Sequence, residues 1–138
     1  MSADLTWLLV KDNSSFLVKR SGVQFTTEPN NLTNLNSFKY SGLANAKVVG
    51  VEANASGKGV VLTTKKQSVS SGKPGKSFQK VAISGSSRRA AKSIVNATAR
   101  SGYRADLRKA ALGRLSAILA AQKPKKVTKK AGRSTLRK

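Results

Sequence analysis

Hydrophobic positions alternate with polar ones through the first part of the chain and then recur at helical spacing. The opening "SADLTWLLVK" predicts a short helix. Ser2 caps it, Asp4 suits its first turn, Leu5, Leu8 and Leu9 share a face, and Trp7 sits at the edge of the core. In "SSFLVKRSGVQFTT", Phe16 pairs in phase with Val18 and Val23 with Phe25, and Ser21-Gly22 predicts a two-residue hairpin turn. "TEPNNLTNLN" reads as a polar loop, and "SFKYSG" as an extended segment with Phe38 and Tyr40 on one face. "KVVGVE" and "GKGVVLTTKK" predict an antiparallel pair joined through "ANASGK", and "SFQKVAIS" a last strand.

The period then changes. From Arg88 to Arg100, Ala90, Ile94 and Ala97 form a stripe. From Ala105 to Gln122, Leu107, Ala111, Leu115 and Ile118 form a clearer one, widened by Leu112 and Leu119. The fold class expected is α+β: a mostly antiparallel sheet, a short N-terminal helix and two C-terminal helices. Phe16, Val18, Val23, Phe25, Phe38 and Val51 are its predicted front-half core. One domain over 1–122 is followed by a basic extended tail, 123–138.

Charge divides the chain differently. It carries 27 Lys+Arg against 5 Asp+Glu, a formal net charge of +22. Residues 1–64 hold six basic and four acidic side chains, whereas 65–138 hold 21 and one. Such a half repels itself unless a polyanion neutralises it, and nucleic acid is the partner that best accounts for it. Half of the 16 residues from Lys123 to Lys138 are basic and none is acidic. That segment is expected to be disordered alone and to order on RNA. Its "KPKKVTKK" also resembles a nuclear-import signal.

"SSGKPGKS", Ser70 to Ser77, ends like a phosphate loop. The motif G-x-x-x-x-G-K-[ST] needs a glycine where Ser70 stands, and a helix should follow where "SFQKVAIS" alternates like a strand. The loop is therefore expected to meet phosphate of RNA and not a nucleotide. With no Cys and no His, thiolate, zinc-finger and imidazole chemistry are excluded, and the five acids are dispersed. No enzymatic activity, cofactor, metal or small-molecule substrate is expected. No apolar stretch is long enough to span a membrane; an anionic membrane surface is the weaker alternative to nucleic acid for so basic a chain, and no membrane partner is expected.

The candidate RNA-binding residues are Lys65, Lys66, Lys73, Lys76, Arg88, Arg89, Lys92, Arg100, Arg104, Arg108, Lys109 and Arg114, with Lys123, Lys125, Lys126, Lys129, Lys130 and Arg133 in the tail. Arginine can grip phosphate or stack on bases, and lysine acts as a point charge. On the last helix Ala110, Gly113, Ala117 and Ala121, flanked by Lys109 and Arg114, either admit a sugar–phosphate backbone closely or pack on protein. Tyr40, Phe78 and Tyr103 either stack on bases or pack in the core.

Several segments, "SSFLVKR", "TEPNNLTNLNSFKYSGL", "GKGVVLTTKK" and "YRADLRKAALGRLSAILAAQKP", together resemble the eukaryote-specific large-subunit ribosomal protein twenty-eight family, from "LTWLLVK" to about Pro124. The resemblance implies an α+β structural constituent of the large subunit of the cytosolic ribosome. It would be held by ribosomal RNA and neighbouring ribosomal proteins, with nuclear or nucleolar transit during assembly and no catalytic residues. A ribosome-assembly factor acting on large-subunit precursors is the alternative, since such factors share this kind of N-terminal domain. Where the family usually has proline before Asp-Leu, this chain has Ala105, which should leave the start of the last helix less firmly fixed.

Overall fold

The computed structural model describes residues 2–69 and 73–124. Helix α1 (Ala3–Val10) starts as its sequence predicts, with Ser2 Oγ accepting from Leu5 N at 3.3 Å. Strands β1 (Leu17–Arg20) and β2 (Val23–Thr26) pair antiparallel, Val18 opposite Phe25. Ser21 and Gly22 join them, both at positive φ (46° and 77°), as a tight hairpin turn requires. A separate antiparallel sheet runs β3 (Val49–Ala53), β4 (Val60–Lys65), β5 (Phe78–Ile83), with β4 central. Helices α2 (Ser87–Val95) and α3 (Arg108–Gln122) follow. The α+β reading and the strand pairings hold.

The core is built between the larger sheet and the C-terminal helices. Val49, Val51, Val60 and Leu62 lie in register on one face of β3–β4 and pack with Ala90, Ile94, Leu107, Ala111 and Leu115; Leu32 enters from the polar loop. This corrects the predicted front-half core, of which only Val51 is buried. Phe16 and Val18 are half-buried, while Val23 (46%), Phe25 (39%) and Phe38 (37%) are exposed. The alternation is real, but the two-stranded β1–β2 ribbon stands apart from the larger sheet and its apolar residues lie outside the core packed against α2 and α3 among the described residues. A period-2 pattern fixes which residues share a face, not whether that face is covered.

"SFKYSG" is corrected as well. Phe38–Tyr40 form a 3₁₀ turn instead of an extended segment. Asn45 Nδ2 donates to the carbonyls of Phe38 (2.7 Å) and Ser41 (2.9 Å), and Ser41 N donates back to Phe38 O at 3.3 Å. Such local side-chain bonds offer the backbone an alternative to a ladder. The loop before it is organised by buried Glu28, whose carboxylate accepts from Asn31 Nδ2, Ser41 Oγ and Gly42 N at 3.1–3.3 Å. Asn30 lies so close to Gly50 of β3 that a side chain at 50 would collide with it.

The penultimate helix also departs from its predicted span. The α geometry ends at Val95, and Asn96–Arg100 form a π turn. One extra residue per turn rotates the stripe, so Thr98, not Ala97, takes the fully buried place after Ile94, its hydroxyl satisfied by Ile94 O at 2.8 Å. At the start of the last helix, Ala105–Leu107 are 3₁₀ and the α geometry begins only at Arg108. Gln122 is the last residue of α3. Its amide both donates to Gly59 O (2.8 Å) and accepts from Gly59 N (3.0 Å), tying the end of α3 to the β3–β4 hairpin.

Candidate nucleic-acid interface

The cations predicted as RNA ligands separate into free and committed groups. On α2 Arg88, Arg89 and Lys92 are exposed, as are Arg100 at the turn and Arg108 and Lys109 on α3. The first turn of α2 carries Arg88 and Arg89 and that of α3 carries Arg108 and Lys109, with no acid in either, although Asp106 lies in the 3₁₀ turn that leads into α3. That arrangement opposes the helix dipole, whose positive end would favour Asp or Glu there. At α2 an approaching phosphate reverses the sign of this cost, since dipole and two cations then both attract it; at α3 the Arg108 amide is already given to Ala105 O and only the cations remain.

A second group lies at the β4–β5 connection. Lys66, Lys73 and Lys76 are exposed, and Lys65 is half-buried with its Nζ 3.4 Å from Asn45 O. Pro74–Lys76 form a 3₁₀ turn, and β5 follows directly, as the sequence reading expected. Ser77, which would hold the magnesium ion in a phosphate loop, is buried and donates its hydroxyl to Lys73 O at 2.9 Å. Ser70 lies outside the described residues. Lys80, missed in the sequence, is exposed on β5 and shares a face with Lys65, one register step away. Only the pairing register reveals that neighbour, because isolated lysines in strands are common at edges.

Two predicted ligands are turned inward. Arg104 donates to Asp106 (2.8 Å, twice), Lys47 O (2.8 Å) and Lys39 O (2.9 Å), which engages all three guanidinium nitrogens. Those bonds hold the Asp106 carboxyl below its ordinary pKa, the side-chain hydrogen bond from Arg104 being the main cause. Arg114 is half-buried and lines a polar cavity of about 290 Å³ with Thr27, Glu28, Asn30, Asn31, Asn34, Val51 and Glu52. Its Nε is buried without a hydrogen-bond partner among the described residues.

The remaining choices left open by the sequence resolve in part. Tyr103 packs against the core, and its hydroxyl donates to Lys65 O (2.7 Å) and accepts from Val48 N and Lys65 N, where the β3–β4 ladder ends. Tyr40 also packs there, and Phe78 is half-buried on β5. On α3, Gly113, Ala117 and Ala121 are exposed and Ala110 half-buried, with open space where a Gly113 side chain would point. Among the described residues, nothing packs over Gly113, Ala117 and Ala121 as a second protein layer would. Lys123 is exposed; Lys125, Lys126, Lys129, Lys130 and Arg133 lie outside the described residues.

Comparison with known proteins decides the family. The profile of the ribosomal L28e protein family matches residues 5–121, from within α1 to the last turn of α3. The chain belongs to the ribosomal L28e family. Within it, the chain is 48% identical over 130 residues to the large ribosomal subunit protein eL28 of Schizosaccharomyces pombe, covering 91% of this chain and 96% of the relative. The eL28 of Dictyostelium discoideum is 36% identical over 121 residues, 88% of this chain and 89% of its own. The eL28 of Caenorhabditis elegans is 45% identical over 78 residues, 55% and 58% of the two chains. The resemblance drawn from the sequence segments is the family membership found here.

Proposed function

We propose that this L28e-family protein is a structural constituent of the large subunit of the cytosolic eukaryotic ribosome, held there by ribosomal RNA. The observation that carries the reading is 48% identity along nearly the full length of both chains to a protein named for the large subunit. The free cations supply the mechanism. Arg88, Arg89, Lys92, Arg100, Arg108 and Lys109 present charge along the helical layer, and Lys66, Lys73, Lys76 and Lys80 present it beside the sheet. The small exposed stripe of α3 lets a sugar–phosphate backbone come close between them.

Lys123 and the tail cations Lys125, Lys126, Lys129, Lys130 and Arg133 extend the same contact, so binding is salt-dependent through counterion release. Neighbouring ribosomal proteins complete the site, the protein passes through the nucleolus during assembly, and no step of catalysis is involved. Sedimentation of the native protein from lysate tests this reading. Co-migration with mature large subunits is expected. Recovery only with subunit precursors, with chromatin or as free protein would contradict it.

A further inference from the structure

Helix α1 is held by one face and, among the described residues, nothing covers the other. Ala3, Thr6, Trp7 and Val10 are half-buried, Trp7 resting on Phe38 with ring centroids 6.0 Å apart. Asn36 Nδ2 donates to Lys11 O at 2.9 Å and fixes the far end. On the opposite side Leu5, Leu8 and Leu9 are 50%, 60% and 61% exposed. Three adjacent leucines kept in water on a helix fixed by its back are a contact surface in want of a partner.

We infer that this leucine face is a docking surface for a basic protein neighbour within the large subunit, an inference that rests on the ribosomal reading above. The charges around it select the occupant. Asp4 and Asp12 are exposed at the two ends of the helix, and its one cation, Lys11, leans on Asp12 at 3.8 Å. Among the described residues of this helix and its ends two acids outnumber one cation, a balance that disfavours phosphate, so RNA is a poor occupant. A second copy would bring another +22 of like charge. The basic tail of this chain offers only Val127 and Leu136 as large apolar residues. A segment with apolar side chains at its centre and Lys or Arg beside them matches both the leucines and the acids.

The test places a photoreactive benzophenone side chain at Leu9 of the full-length protein, expressed in cells and recovered in large subunits by sedimentation. After irradiation, mass spectrometry identifies the adduct. The expected adduct is a segment of another large-subunit protein that carries apolar residues flanked by Lys or Arg. Replacing Asp4 and Asp12 together (Asp4→Lys, Asp12→Lys) should lower its yield by roughly two- to tenfold, the scale of two exposed ion pairs. An adduct with RNA, with a second copy or with this chain's own tail, or no adduct from protein that is present in the subunits, overturns the inference and leaves the ribosomal reading standing. Absence of the protein from large subunits overturns both.

Discussion

Arg104 and Tyr103 stand side by side in "SGYRADL", and each holds segments far away in sequence. Arg104 ties the carbonyls of Lys39 and Lys47 to the start of the last helix, and only a planar fork can do so while also bracketing Asp106. Arg104→Lys should therefore cost about 1.5–3 kcal/mol in urea denaturation, the range for hydrogen bonds to a charged group. A loss under about 0.5 kcal/mol, the size of an ordinary surface change, would mean the bracket is ornamental. Asp106→Asn has a pH signature. The folded carboxyl titrates below 3.8, so its stabilisation is complete above the unfolded pKa and is lost as pH falls through the lower folded value. The stability gap between wild type and Asp106→Asn should be present at neutral pH and close in acid. A gap independent of pH would contradict the pairing. None of this was legible in sequence. Arg104 reads there as one cation among many, because, Asp106 apart, its acceptors are main-chain atoms 57 and 65 residues away.

At the scale of elements, period and register were legible where coverage was not. The β1–β2 turn, the β3–β4 pair, the existence of β5 and the buried stripes of α2 and α3 follow from residue pattern, whereas the pairing of β5 with β4 is seen only in the structure. Which sheet carries the helices does not, since alternating apolar residues look alike in a covered strand and in a bare ribbon. The π turn escaped too, since an i→i+5 turn leaves no mark in a periodic apolar pattern, and it is seen only with Thr98 fully buried inside it. The revised core makes a comparative prediction. Ile94→Ala, at a fully buried position, should cost about 2–5 kcal/mol. Phe25→Ala, on the ribbon, should cost under about 1.5 kcal/mol, since much of the ring already meets water. Paired urea melts decide it, and the reverse order would restore the ribbon to the core.

Over the whole molecule, charge was the most legible feature and its fine placement the least. The sequence divides a nearly neutral half from a half carrying 21 cations, and that asymmetry alone points to a polyanion. It does not say that Arg104 and Arg114 turn inward while Arg88, Arg89, Lys92, Arg108 and Lys109 stay free. Removing residues 123–138 should lower the magnitude of the log K versus log salt slope for RNA binding by roughly 4–6. The thermal melt should barely move, because the tail holds only Val127 and Leu136 as large apolar residues. An unchanged slope would make the tail a bystander, and a collapsed melt would make it part of the core. The most direct test of the central claim is ultraviolet crosslinking of purified large subunits, with the protein's RNA-bound peptides mapped by mass spectrometry. The account predicts adducts on 88–109 and around Lys73–Lys80 and none on α1. Adducts confined to α1 and the β1–β2 ribbon, with the helical cations untouched, would contradict it.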